Sequence, residues 1–304
     1  MDDSHAKGRR SVKECDPPVW LDMDQAALDK AYNQAAYAPN RQQLLDRYVI
    51  RSNVARALRN PLRFQYGNSE TEQLDIYTCE ASGAPINIFI HGGAWRWGSA
   101  KECGFIAELF NNAGAHLIVP DFIDVEQARG SLFPMVEQVR KAIAWVYANT
   151  HRFSDRRSRI YLSGWSSGAH LAAVALKSDW PEHGLPDDMF DGALLCSGMY
   201  DLEPVRRSSR STYVRFTDEM VEKLSPQRHL DRLKTPLMIV CGSLETPEFQ
   251  RQSREFAQAV KDQGLHVEYH LAQCYNHFEI YETLANPYDV LGRTVLRQMQ
   301  CAKQ

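Results

Sequence analysis

The chain has 304 residues, 44% hydrophobic and 24% charged, with a formal net charge of −3 at pH 7. At ~100–200 residues per domain, this length allows one large domain or two small ones, with a core large enough to need no disulfide or metal. The near-neutral charge gives no electrostatic hold on nucleic acid or anionic lipid, and it fits a small, largely uncharged aromatic substrate better than a polyanion. Apolar runs such as Ile86 to Ile90 stop far short of the ~20 residues of a membrane span.

Residues 1–18 are polar, carry Gly8-Arg9-Arg10 and end at Pro17-Pro18, which reads as a loose arm. They contain no apolar segment of a secretory signal, so a reducing cytoplasm is the expected compartment. Residues 19–304 are expected to form a single α/β domain. Helical spacing of apolar residues marks Asp24 to Tyr37 and then Arg41 to Leu58, with Leu44, Leu45, Tyr48, Val49 and Val54. These front helices either cap a binding site or cover a sheet edge.

From Leu62 the period changes. Leu62 to Tyr66 and Leu74 to Tyr77 alternate, and the Gly67-Asn68 turn signal between them predicts an antiparallel pair. Short apolar runs then recur at Ile86–Ile90, His116–Val119, Arg159–Ser163, Gly192–Cys196, Leu237–Cys241 and His266–Leu271. Helical patterns at Glu102–Asn112, Met135–Asn149, Ser167–Lys177 and Glu248–Gln263 separate them. Such alternation predicts a mostly parallel central sheet with helices on both faces. The stretch 198–234 interrupts the rhythm with Arg206-Arg207-Ser208-Ser209-Arg210, a charge run expected to face solvent. Its place near the carboxyl ends of the strands also suits part of a substrate pocket.

Seven cysteines, Cys15, Cys79, Cys103, Cys196, Cys241, Cys274 and Cys301, are widely spread with no C-x-x-C pair. This suits neither a zinc site nor a disulfide framework. Cys196 and Cys241 end apolar runs and read as small buried hydrophobes.

Gly164-Trp165-Ser166-Ser167-Gly168 follows an apolar run and opens an Ala/Leu-rich helix. That is the strand–turn–helix setting of a nucleophile elbow, and only Ser166 has glycines at both −2 and +2. A serine hydroxyl needs a base to take its proton and an acid to orient that base. In an α/β-hydrolase fold the order is nucleophile, acid, histidine. His277 follows the last strand and is the candidate base. His266 and His270 share one face of that strand, and with His170 they read as structural. His116, His151, His183 and His229 precede the acid. Glu245, on the loop after Leu237–Cys241, is the candidate acid; Glu248 reads as a first-turn helix carboxylate, and Asp201 is the alternative from the neighbouring loop. The run His91-Gly92-Gly93-Ala94-Trp95 sits where this fold places its oxyanion donors, with Gly92, Gly93, Ala94 and the Ser167 N–H as candidates. His91 is expected to brace that loop.

With these motifs in place, the sequence resembles the α/β-hydrolases of the kynurenine formamidase (arylformamidase) and carboxylesterase type. The matching pieces are His91 to Trp95, Gly164 to Leu171, Ser197-Gly198-Met199-Tyr200-Asp201-Leu202, Glu245 to Ser253 and Asn276-His277-Phe278. The Pro247-Glu248-Phe249-Gln250-Arg251-Gln252-Ser253 string favours formamidase-like members. In those the carboxylate two residues before the proline is the triad acid, which falls on Glu245. The sequence departs from the family at Trp165-Ser166-Ser167, where His-Ser-Ala is more usual, and at Asp121-Phe122-Ile123-Asp124, which replaces an Asp-Tyr-Arg-Leu string.

The expected chemistry is acyl transfer through Ser166, His277 and Glu245 without metal or organic cofactor. Trp95, Trp97, Trp165, Tyr200 and Phe278, with Tyr275, are candidate pocket residues for a flat aryl-bearing molecule. Trp97 and Trp165 are equally compatible with core packing. Aryl formamide, small aromatic amide and aryl ester all remain open, with long-chain esters disfavoured for want of a long apolar lid. A silent hydrolase-fold binding protein is the non-enzyme alternative. A homodimer is compatible with the sequence and required by nothing in it.

Overall fold

A computed structural model describes residues 17–154 and 158–301. Most of the expected arm, with Cys15, lies outside these residues.

The strands are β1 (Leu62–Gln65), β2 (Gln73–Tyr77), β3 (Ile86–Ile90), β4 (His116–Pro120), β5 (Ile160–Trp165), β6 (Phe190–Cys196), β7 (Leu237–Gly242) and β8 (Val267–Ala272). They form one sheet in the order β1-β2-β4-β3-β5-β6-β7-β8. β2 runs antiparallel to β1 and β4, and every other neighbouring pair is parallel. The architecture is the mostly parallel α/β-hydrolase sheet, with its antiparallel pair at the N-terminal side.

The helices are α1 (Gln25–Ala31), α2 (Arg41–Arg59), α3 (Ala107–Asn112), α4 (Phe133–Asn149), α5 (Ser167–Leu176), α6 (Leu202–Arg207), α7 (Asp218–Leu224), α8 (Pro247–Asp262), α9 (His277–Glu282) and α10 (Val290–Gln298). The two-residue period of a strand assigns its side chains to two helix layers. Ile86, Ile88 and Ile90 of β3 join a core with α4, α5 and α8, whereas Phe89 joins the core under α2, α3, α9 and α10. Helices on both faces account for the largely apolar runs of β3, β4 and β5, whose residues are all buried; the polar Asn87 and Ser163 bond to each other at 2.7 Å.

Register brings the carboxyl ends together. Ile90 pairs with Gly164, Trp165 with Cys196, and Gly242 with Ala272. The loops after β3, β5, β6, β7 and β8 therefore emerge along one edge, which is where an open α/β sheet builds a site.

Two expectations are corrected. The segment Asp24–Tyr37 is not one helix. α1 stops at Ala31 and a short 3-10 turn spans Gln34–Tyr37; just past the helix end the Tyr32 and Gln34 side chains bond to Glu248 and Glu245. Glu102–Asn112 likewise begins as a 3-10 stretch, Ala100–Ile106, before α3. β1 and β2 pair antiparallel as expected, and the connection runs on past Gly67-Asn68: the Tyr66 N–H reaches the Glu72 carbonyl, and the Glu72 carboxylate accepts the Ser69 N–H. On the alternating strand β2, Asp75 is fully buried. Arg56 of α2 and Arg63 cover it as ion-pair partners. On α2 itself Leu44 and Tyr48 are buried, while Val49 and Val54 face outward.

Candidate active site

The turn from β5 into α5 has almost no spare volume. A Cβ at Gly164 would lie 2.6 Å from the Gly168 carbonyl oxygen, and one at Gly168 would lie 2.1 Å from the Ile90 carbonyl oxygen. Only glycines let the strand, the turn and β3 approach this closely. Ser166, between them, holds φ 58° and ψ −126°, a strained conformation for a residue with a side chain. Its N–H is anchored to the Cys196 carbonyl at 2.8 Å.

His277 is the first residue of α9, oriented by a capping box. The Asn276 side chain accepts the Phe278 and Glu279 N–H groups, and Glu279 accepts the Asn276 N–H. The imidazole Nε2 lies 2.9 Å from Ser166 Oγ, and Nδ1 lies 2.6 Å from Glu245 Oε2. A carboxylate can only accept, so Nδ1 carries the proton and Nε2 presents its lone pair to the serine hydroxyl. Ser166, Glu245 and His277 are all buried.

Glu245 leaves no lone pair idle. Oε1 accepts from Ser197 Oγ at 2.5 Å and from the Gly242 N–H at 2.8 Å, while Oε2 accepts from Gln34 Nε2 at 2.9 Å as well as from His277. This set is what allows an ionised carboxylate to stay buried. The two alternative acids point elsewhere. Glu248 takes Arg251 at 2.6 Å and Tyr32 Oη at 2.9 Å. Asp201 caps α6 through the Glu203 N–H.

Of the four candidate oxyanion residues, Gly93 and Ala94 border the same pocket as Ser166 and His277. They are reached through left-handed backbone, φ 121° at Gly93 and 54° at Ala94. The Ser167 N–H stands at the first position of α5, where helical geometry supplies no acceptor. Gly92 instead borders a separate apolar cavity of about 140 Å³ behind the loop, and a Cβ there would meet the Trp165 ring at 2.6 Å. His91 braces the loop through Nδ1 to its neighbour's carbonyl at 2.9 Å and stacks on Phe122. Burial pushes its imidazole below the usual histidine range.

The pocket has a volume of about 560 Å³. Asp29, Lys30 and Tyr32 to Ala35 contribute to its wall from the front segment, and Ser209, Arg210 and Tyr213 from the 198–234 stretch. The front segment thus caps the site, while α2 packs on the 3-10 stretch at Ala100–Ile106. Trp97, Trp165 and Phe278 border the pocket as expected. Trp165 also stacks on Tyr281 and donates Nε1–H to the His277 carbonyl at 3.0 Å, so this elbow residue props the histidine from below.

The structure does not bring Trp95, Tyr200 or Tyr275 to the pocket wall. Trp95 turns into the core and donates Nε1–H to His170 Nδ1 at 3.3 Å. Tyr200 is fully buried against Phe256. Tyr275 bonds to Asp289. Aromatic content near a motif does not tell which way a ring points, which is why the expectation fails for these three. The Asp121–Asp124 departure is also outside the lining. The solvated-face reading of the charge run holds for Arg206 and Arg207, both paired with Glu203, and fails for Arg210, which is buried. Sequence reasoning misses the roles of Gln34, which carries no motif, and of Ser197, which stands in a matching string directly after a strand with nothing to mark its contact to the acid. Among the described residues, no group of three or more His, Cys, Asp or Glu side chains is arranged to hold a metal ion, and no helix is long and apolar enough to cross a membrane.

A family model described as BD-FAE matches residues 74–189. The chain is 30% identical to the kynurenine formamidase of Danio rerio over 297 residues, covering 92% of this chain and 98% of that one. It is equally 30% identical to the kynurenine formamidase of Salmo salar, again with 92% and 98% covered. Among solved structures, a putative thioesterase from a Silicibacter species superposes with a TM-score of 0.73 at 22% identity, over 88% of this chain and 97% of that one. With full-length similarity of this kind, the chain is a hydrolase and belongs to the kynurenine formamidase family within the formamidase- and esterase-type α/β-hydrolases.

Proposed function

We propose that the chain cleaves a small aromatic amide, with a formamide as the favoured case, through a Ser166–His277–Glu245 triad and an acyl-enzyme. The observation that carries this reading is the continuous contact from Ser166 Oγ through the imidazole to Glu245, at 2.9 and 2.6 Å. His277 Nε2 takes the Ser166 proton as Oγ bonds to the carbonyl carbon. The carbonyl oxygen becomes an oxyanion held by the N–H groups of Gly93, Ala94 and Ser167. Collapse of this intermediate breaks the C–N bond, and His277 passes its proton to the departing amine. Water then attacks the acyl-enzyme with His277 as base, which releases the carboxylic acid and restores Ser166. Glu245 holds the ring in one tautomer and stabilises its positive charge throughout. The relatives named kynurenine formamidase favour a formamide among the amides, and Trp97, Trp165 and Phe278 at the pocket wall favour an aryl group.

A second reading is hydrolysis of short-acyl aryl esters, for which the same Ser166–His277–Glu245 contacts and the same aromatic wall would serve. A panel of formanilides, aryl acetamides, aryl acetates and long-chain aryl esters separates the two. Ser166→Ala is expected to abolish turnover of every substrate in it, and an organophosphate is expected to label Ser166 in the unmodified chain. Near-full activity of the Ser166→Ala variant would refute the mechanism. Preference for long-chain acyl groups would refute the substrate class.

A further inference from the structure

Behind the loop that carries Gly92 and Gly93 lies the cavity of about 140 Å³, which neither Ser166 nor His277 borders. Four aromatic residues, Tyr48, Trp97, Trp165 and Tyr281, contribute to its wall, with Leu45 and Val49 of α2. Three of these rings form one packed cluster: Trp165 stacks on Tyr281 at 4.5 Å, and Tyr48 meets Tyr281 edge to face at 5.2 Å. Val49 and Trp97 are each 41% exposed, so the cavity opens to solvent between α2 and the loop.

Size and charge narrow what can enter. A cavity of ~150 Å³ engineered into another protein, with an aliphatic and aromatic wall, stays dry and takes up benzene. The volume here is likewise that of one ring. No lysine or arginine is among the described lining residues, and burial keeps the His91 imidazole neutral. The one carboxylate in the lining, Glu102, stands at an exposed position. A charged ligand would therefore lose its water without gaining a counter-charge, so the wall selects a neutral one.

The cavity is mechanically tied to the loop in front of it. Trp97 and Trp165 border both the cavity and the catalytic pocket. The Gly93 carbonyl accepts the Arg96 N–H at 2.9 Å and the Trp97 N–H at 3.1 Å. That carbonyl and the Ala94 N–H belong to one planar peptide, so holding the first orients the second. We propose that this cavity is a second ligand site, for a neutral single-ring aromatic molecule, and that its occupant steadies Trp97 and, through the Gly93–Ala94 peptide, the oxyanion donors. The site itself is independent of the mechanism above; its effect on turnover rests on that reading.

Iodobenzene reports the position. Crystals of the full chain soaked in it are expected to show an anomalous iodine peak in the cavity beside Tyr48 and Trp97. No peak there, or one only in the catalytic pocket, overturns the site. In solution, toluene is expected to raise the thermal unfolding midpoint. Val49→Trp places a larger ring at the mouth and is expected to weaken toluene binding at least ~10-fold by calorimetry; Leu45→Trp serves if that variant does not fold. Undiminished binding in the folded variant overturns the site as well. With an aryl acetate as substrate, saturating toluene is expected to raise kcat ~5-fold in the unmodified chain and to leave the Val49→Trp variant unaffected. An unchanged or lower kcat, or a rise in KM alone, overturns the coupling. Absence of turnover with or without toluene would count against the hydrolase mechanism, and the iodine peak would still judge the site.

Discussion

Gln34 Nε2 donates to Glu245 Oε2 at 2.9 Å, joining the front segment to the carboxylate that faces His277 across 211 positions of sequence. The same amide accepts the Thr246 N–H through Oε1, so one buried side chain fixes both the carboxylate and the backbone beside it. Gln34→Leu leaves a buried carboxylate lone pair and a buried N–H without partners, which is expected to lower kcat by ~5–30-fold with little change in KM. Steady-state kinetics on an aryl substrate check this, and an unchanged kcat would show that the front segment does not help position the acid.

The elbow glycines answer to packing rather than to conformational freedom alone. At Gly184, φ is +74° but nothing lies within 4 Å of where a methyl group would stand, so Gly184→Ala is expected to destabilise by only ~1 kcal/mol. At Gly168 the methyl would stand 2.1 Å from a carbonyl oxygen of β3, and Gly168→Ala is expected to destabilise by ~3 kcal/mol or more and to abolish activity. Urea unfolding of the two variants measures the difference. Similar midpoints would contradict it.

Acid sensitivity of the fold should come from buried imidazoles. Burial pushes His170 down to about 4, from an ordinary value near 6.5. The unfolded chain therefore takes up this proton first. The associated stability is intact above about pH 6.5 and is lost progressively as pH falls toward 4, by up to ~1.4 kcal/mol per pH unit. Burial lowers His91 and His116 in the same direction. Urea midpoints are expected to fall between pH 7 and pH 5. In His170→Gln the protein should be weaker at pH 7, and its pH dependence flatter. An unaltered slope would rule out His170 as a main source.

Thiol chemistry offers a further check on burial. Cys103, Cys196 and Cys241 are enclosed, and burial pushes each thiol up, whereas Cys274 is exposed. Brief iodoacetamide treatment of the native protein, read by peptide mass spectrometry, should modify Cys274 and spare the enclosed three. Labelling of Cys196 at the rate of Cys274 would mean that β6 opens readily.

What the sequence makes legible follows from where local chemistry dictates structure. Strands buried on both faces read as largely apolar runs, so the expected β3 matches to the residue and β4 to β7 within one or two, while the half-exposed β8 falls within one. The elbow is legible because its glycines are demanded by contacts within a few positions of Ser166. The layout of Ser166, Glu245 and His277 can be proposed because each follows a recognisable strand. Contacts between distant segments leave no such trace. Tyr32 reaches Glu248 from the end of α1, Asp75 is buried where α2 supplies Arg56, and Arg210 turns inward while its neighbours Arg206 and Arg207 stay on the surface. Ring orientation is equally illegible: Trp95 and Trp97 are two residues apart, and one faces the core while the other borders the pocket.

The orientation of Trp95 also bears on how this molecule can change. Its N–H bonds to Ser167 Oγ at 3.2 Å and its indole bonds to His170, so the loop carrying Gly93 and Ala94 is tied to the helix that begins beside Ser166. Those parts ride together as one rigid block. The facing wall is built from residues 29–35 and 209–213. Gln34 apart, whose amide holds Glu245, substitutions there can re-shape what enters the cleft without touching the reacting atoms. Divergence in specificity within this lineage has its natural substrate in that wall, and directed evolution aimed at new acyl or aryl groups should draw its libraries from it.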